Sequence, residues 1–188
     1  MTDTDIIDIL TSVKTIALVG ASDNPARPSN DVMAYLLEQG YQVIPVNPAM
    51  GGREIYRQKV YASLADIPVQ VDMVDVFRRS DAVYDLAQEA IAIDAKVLWT
   101  QLGVVNEQAA VLAKNTGMKV VMDRCPKIEI RRLGNLKLSF SDEVPAIAGG
   151  WIQPDRQGSV VQDEPATFRN SIEPRPGTYV SACLRRLP

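Results

Sequence analysis

The 188-residue chain contains no histidine. That absence removes histidine-dependent triads, imidazole general bases, phosphohistidine relays and His-ligated metals together. Cysteine is almost as scarce: Cys125 and Cys183 lie far apart, without metal-ligand spacing. Neither a disulfide framework nor a metal site is expected, and a reducing cytoplasmic compartment is. Cys125 can be read as a nucleophile or as a small buried hydrophobe, and the lack of an imidazole to activate it favours the second. No apolar run approaches the ~18–20 residues of a membrane span, so no membrane partner is expected. The opening Met1-Thr2-Asp3-Thr4-Asp5 is acidic and has no apolar stretch behind it, unlike a secretion signal. Net charge is −3, which gives no field to recruit nucleic acid. Any anion held here must be gripped by local donors.

What is present is an ordinary globular composition, 46% apolar and 23% charged, with alternating element signals. Residues 5–13 carry Ile6, Ile7, Leu10 and Val13 at helical spacing, with Thr4 or Asp5 as the expected N-cap. Residues 15–19 form a short apolar run ending at Gly20, read as a buried parallel strand. After a polar loop, Ser29 is expected to cap a helix with the stripe Val32, Met33, Leu36, Leu37, stopped by Gly40. Strands are then expected at 41–46, 71–77, 96–101 and 119–122, helices at 81–94 and 106–115, and a turn at 64–68. Alternation of this kind predicts a Rossmann-like, doubly wound parallel sheet of about five strands with flanking helices, an α/β fold. Ligands of such sheets bind beyond the carboxyl ends of the strands, which here means the loops at 20–28, 47–52, 77–79 and 100–103. Residues 1–133 read as this domain. Residues 134–188 read as a Pro/Gly-rich extension, partly disordered, with one candidate strand at 136–140 and the aromatics Trp151, Phe168 and Tyr179.

The loop after the first strand is Gly20-Ala21-Ser22-Asp23-Asn24-Pro25-Ala26-Arg27-Pro28-Ser29. A glycine there lets backbone amides approach a phosphate at the positive end of the next helix, and Arg27 offers a guanidinium fork. The same residues also suit a plain strand-to-helix turn with a surface arginine. No further glycines complete G-x-G-x-x-G, and the second strand ends at Val46-Asn47-Pro48 without an acid for a ribose hydroxyl, so NAD is disfavoured. No Gly-Lys-Ser/Thr triplet occurs, which excludes a P-loop.

The set Gly20-Ala21-Ser22, Arg27-Pro28-Ser29 and 40–48 (Gly-Tyr-Gln-Val-Ile-Pro-Val-Asn-Pro) resembles the stand-alone CoA-binding domain proteins of bacteria and archaea, themselves similar to the amino-terminal domain of the succinyl-CoA synthetase α-subunit. Residues 63–68, 74–79, 99–103 and 123–129 extend the match, in order. The resemblance implies a coenzyme A or acyl-CoA ligand. It places Gly20, Ala21, Ser22, Asn24, Arg27, Pro28 and Ser29 around the pyrophosphate, and Asn47 and Pro48 by the ADP portion. Val76, Phe77 and Arg78 would flank the adenine or pantetheine, with Trp99 and Gln101 lining the next loop. The family pattern continues Ile-Glu-His where this chain has Ile128-Glu129-Ile130. On the residues alone, Phe77 suits either adenine stacking or the core, and Trp99 suits packing before pocket lining. Arg78 and Arg79 suit phosphate contact or a solvated strand end.

No catalytic residue emerges. A ligase that passes phosphate through histidine is excluded as a complete enzyme, and no nucleotide-grasp domain is present. The expected function is therefore non-catalytic binding of CoA or acyl-CoA, for sensing or for delivery to a protein partner. The alternative is a CoA-binding subunit of a split acyl-CoA ligase or transferase.

Overall fold

A computed structural model describes residues 1–134. The candidate strand at 136–140, the Pro/Gly-rich extension with its aromatics, and Cys183 lie outside the described residues.

Helix α1 (Asp3–Ser12) begins earlier than its apolar stripe suggests, because Thr2 and Asp5 form a reciprocal capping box. The Thr2 hydroxyl accepts from the Asp5 amide at 3.2 Å, and the Asp5 carboxylate accepts from the Thr2 amide at 2.7 Å, satisfying two otherwise orphaned donors. Strand β1 (Thr15–Val19) is buried throughout. Helix α2 (Pro28–Glu38) starts on Pro28, whose fixed φ suits the first helical position. The N-cap is accordingly Arg27, and Ser29, the expected cap, is buried inside the first turn. The helix ends where glycine is needed: Gly40 has φ +90°, and the amides of Gly40 and Tyr41 donate back to Leu37 and Leu36.

Strand β2 (Gln42–Val46) follows, then a hairpin of β3 (Glu54–Ile55) and β4 (Gln58–Lys59) within a stretch whose Gly51 and Gly52 suggest only a loop. The remaining elements are β5 (Met73–Val76), α3 (Val83–Ala92), β6 (Val97–Thr100), α4 (Glu107–Asn115), β7 (Lys119–Val121) and α5 (Pro126–Arg132). Helix α5 was also not foreseen.

The five parallel strands stand in the order β2-β1-β5-β6-β7, as in a doubly wound Rossmann-like sheet. Strand alternation sends Ile16, Leu18, Met73 and Trp99 to one face, where α1, α2 and α5 bury Ile6, Leu10, Met33, Leu36 and Ile130 with them. The other face, with Ala17, Val19, Val74, Val76 and Leu98, is covered by α3 and α4. Those helices meet it through Ala87, Ala90, Ala109 and Ala113, small residues that let backbones approach. On the outer strand β2, Pro45 lies opposite Leu18. Its carbonyl and the Asn47 amide bond Tyr61, so residues 60–61 run alongside the end of β2.

Candidate ligand-binding cleft

Chain order reverses between β1 and β5, and the crevice lies beyond their carboxyl ends. Gly20 follows β1 with φ +91°. A Cβ there would sit 2.6 Å from the Phe77 carbonyl oxygen and 3.2 Å from Cδ of Arg78, so no side chain fits. The two loops are therefore pressed together, and the stem of Arg78 lies against Gly20. The loop after β2 joins them: the Gly20 amide donates to the Val46 carbonyl at 2.9 Å, and Asn47 Nδ2 donates to the Ala21 carbonyl at 2.7 Å. Asn47 Oδ1 accepts from the Ala49 amide, so both ends of that side chain already have partners. Pro48 is exposed beside it.

The loop from Gly20 to Pro28 is shaped by its own polar side chains. Ser22 Oγ accepts from the Asn24 amide at 3.2 Å, and Asn24 Oδ1 accepts from the Ala26 amide at 2.9 Å. Asn30, buried in the first turn of α2, donates through Nδ2 to the Ser22 carbonyl at 2.9 Å. Its Oδ1 accepts the Tyr56 hydroxyl from the hairpin at 2.5 Å. Arg27 and Pro28 are exposed at the far end of the loop. The Arg27 guanidinium has no hydrogen-bond partner among the described residues. Ser29 and Ala21 are buried, and their side chains belong to the loop's underside rather than to the cleft.

Beyond β5 an open depression of about 540 Å³ is lined by Phe77, Arg78, Arg79, Asp81 and Ala82. Phe77 is half-buried and packs against the core on the face covered by α1, α2 and α5. Arg78 is exposed and has no hydrogen-bond partner among the described residues. Arg79 is paired with Asp81 at 2.6 Å, both exposed. A second depression, of about 390 Å³, lies between α1 and the start of β7 at the opposite end of the sheet.

Besides Ala21 and Ser29, three of the expected site residues are buried. Val76 and Trp99 are both 0% exposed. Val76 packs on the α3–α4 face, and the Trp99 ring fills the other core, its indole N–H donating to the Arg124 carbonyl at 2.7 Å. Gln101 is buried, and its Nε2 donates to Oδ1 of Asp75 at 2.7 Å. Asp75 is wholly buried, and its Oδ2 has no hydrogen-bond partner among the described residues. Burial raises its carboxyl to about 7, against the hydrogen bond from Gln101. Burial, with Asp75 nearby, also pushes the Cys125 thiol up, against the amides of Ile128 and Lys127. Cys125 is thus a covered thiol rather than a reactive thiolate. Ile130, where the resembling family has histidine, is fully buried.

The residues that sequence reasoning missed are Asn30 and Tyr56. Their signals are contacts across the chain, which no local pattern carries.

The cleft fits a ligand that is anionic at one end and apolar at the other. Unpaired arginines sit at both ends of the first loop, Arg27 and Arg78, and Phe77 offers an apolar wall between backbone amides and depression. Among the described residues no group of three or more Cys, Asp or Glu could hold a metal, and no helix is long and apolar enough to cross a membrane. The family model of the CoA binding domain matches residues 14–131, and the chain belongs to that family. It is 42% identical over 124 residues to the uncharacterised protein YneT of Bacillus subtilis (strain 168), covering 66% of this chain and 90% of that one. A solved structure of a hypothetical protein from Pyrococcus horikoshii OT3 is 43% identical, with a TM-score of 0.67, over 71% of this chain and 92% of that one. The α-subunit of the ADP-forming acetate–CoA ligase I of Pyrococcus furiosus is 30% identical over 129 residues. That match takes in 61% of this chain and only 28% of the ligase subunit.

Proposed function

We propose that the protein binds coenzyme A or an acyl-CoA in the β1/β5 crevice without transforming it, and senses the ligand or delivers it to a protein partner. The observation that carries this reading is Arg78 lying against Gly20 at the switch point, with Arg27 free at the other end of the same loop. Together they offer two guanidinium forks to a pyrophosphate. Arg27, Arg78 and the amides of Ser22 and Asp23 would hold the pyrophosphate, and Phe77 would support the adenine or the pantetheine arm. The chain has no histidine to activate a nucleophile, and the Cys125 thiol is covered.

The test is calorimetric titration of the full chain with CoA, dephospho-CoA, NAD and NADP. The expected result is CoA binding without NAD binding, weakened about tenfold by Arg27→Ala through loss of a charge-assisted phosphate contact. Heat with NAD, or with none of the four, rejects the reading.

A second reading is favoured by the match to the ligase α-subunit: this chain serves as the CoA-binding part of an acyl-CoA ligase or transferase whose catalytic part is another chain. It requires thioester formation that appears only when that chain is added.

A further inference from the structure

In Rossmann-type sheets the adenosine ribose lies at the end of the second strand. An acid there selects a free hydroxyl, and a cation selects a ribose phosphate. Residues 47–53, which follow β2, contain no acid. The hairpin that comes next carries Arg53, Arg57 and Lys59 against one acid, Glu54, in a chain of net charge −3. Lys59 lies over the Tyr61 ring, 5.1 Å from its centroid, and the backbone of Arg53 is tied to Val60 at the hairpin base. Arg57 is exposed at the tip and has no hydrogen-bond partner among the described residues.

The hairpin is tied to the loops that follow β1 and β2. At its base the hairpin is fastened to the end of β2 through Tyr61 and Asn47. At its tip the Tyr56 hydroxyl bonds Asn30, which in turn bonds Ser22 of the first loop. The two-residue turn itself is unusual. Tyr56 and Arg57 have φ of +50° and +60°, a conformation that such turns normally give to Asn-Gly. A turn selected for stability alone would not place an aromatic and an arginine there. Here one residue is the anchor to α2 and the other is an unpaired cation.

We infer that the β3–β4 hairpin is the element that recognises the ribose phosphate of CoA, with Arg57 as its cation and Tyr56 as the positioning residue. This rests on the CoA reading of the cleft given above. It assigns to the hairpin the discrimination between CoA and its analogue lacking that phosphate, while Arg27 and Arg78 act on the pyrophosphate that both share.

The experiment is titration of full-length wild type and Arg57→Gly with CoA and dephospho-CoA, paired with thermal melts. Glycine relieves the positive φ, so the variant is expected to melt higher than wild type. Its affinity for CoA is expected to fall about tenfold while that for dephospho-CoA stays within about twofold. Tyr56→Phe, which frees the tip and keeps the charge, is expected to lose part of the same discrimination. An equal loss on both ligands, or an unchanged CoA affinity in Arg57→Gly, overturns the inference. Wild type that binds both ligands equally overturns the hairpin assignment alone. Wild type that binds neither overturns the cleft reading and this inference with it.

Discussion

At the amino-terminal edge of the sheet, Asp72 accepts from the amides of Lys14 and Thr15 and from the Lys96 ammonium at 2.7–3.1 Å. At the carboxyl-terminal edge, Arg27, Arg57 and Arg78 stand in the loops after β1, β2 and β5 with no hydrogen-bond partner among the described residues. One edge uses its charge to close the fold, satisfying backbone donors where α1 enters β1. The other leaves three cations uncommitted around a crevice. Charges that a fold does not use for itself are the ones available to a ligand, and here the three arginines outnumber the unpaired acids Asp23 and Glu54 of the same loops. The same contrast holds for two carboxylates three residues apart. Burial alone would raise Asp72, but the bonds from Lys96, Lys14 and Thr15 hold it below the usual carboxylate value. Asp75 has only Gln101 and is pushed up to about 7.

Three experiments separate the edges. The largest effect is expected from Gly20→Ala. A Cβ 2.6 Å from the Phe77 carbonyl at φ +91° must displace backbone, costing on the order of 3 kcal/mol. CoA binding should disappear with the contact between the two loops, as read by chemical denaturation and titration of the same sample.

Next in size is the pH response of the two aspartates. Asp75 holds its proton more tightly when folded than when unfolded. Its contribution is therefore full below the ordinary value of 3.8 and is lost as pH rises through about 7. Asp72 has the opposite sign: its contribution is present above 3.8 and is lost as pH falls through its lowered value. Thermal melts from acid to mildly alkaline pH should show Asp75→Asn removing the decline on the alkaline side, and Asp72→Asn removing the decline on the acid side. A wild-type melting temperature that does not fall between pH 5 and 8 would contradict the account of Asp75.

The smallest effect on the fold is expected from Arg78→Ala. Stability should change by no more than about 0.5 kcal/mol, as for an exposed side chain. CoA affinity should nevertheless fall about tenfold, by loss of a phosphate contact. A large loss of stability would mean that the Arg78 stem holds the loops together and is not free for a ligand.

Much of this architecture could be read before the structure. Runs such as residues 16–19 and 97–99 are apolar throughout because both faces of the sheet are covered, and that indicates parallel strands. The helices α2, α3 and α4 show their stripes, and the loops at the carboxyl ends follow from the alternation. The hairpin was invisible because its turn is Tyr-Arg, which has none of the residues that normally announce a positive-φ turn. Helix α5 was hidden by its length, seven residues after Cys125-Pro126, too short for a period to emerge. The site was legible in part. Gly20, Phe77 and Arg78 do meet, and Arg27 is exposed on the same loop. Trp99 and Val76 were assigned to the ligand from a resemblance, and burial returns them to the core. The Asp75–Gln101 bond spans 26 residues, and no spacing rule reaches that far.

Pro45 has a consequence for how this protein can meet others. It sits in the outermost strand of the sheet, where a residue without an amide hydrogen removes one donor from the open edge. The Tyr61 amide takes up the Pro45 carbonyl, and the Tyr61 carbonyl takes up the Asn47 amide. The edge that would otherwise template a sixth strand is thus already occupied at its carboxyl half, which guards against edge-to-edge aggregation. A partner that collects the ligand therefore meets loops rather than an open strand at the carboxyl end of β2.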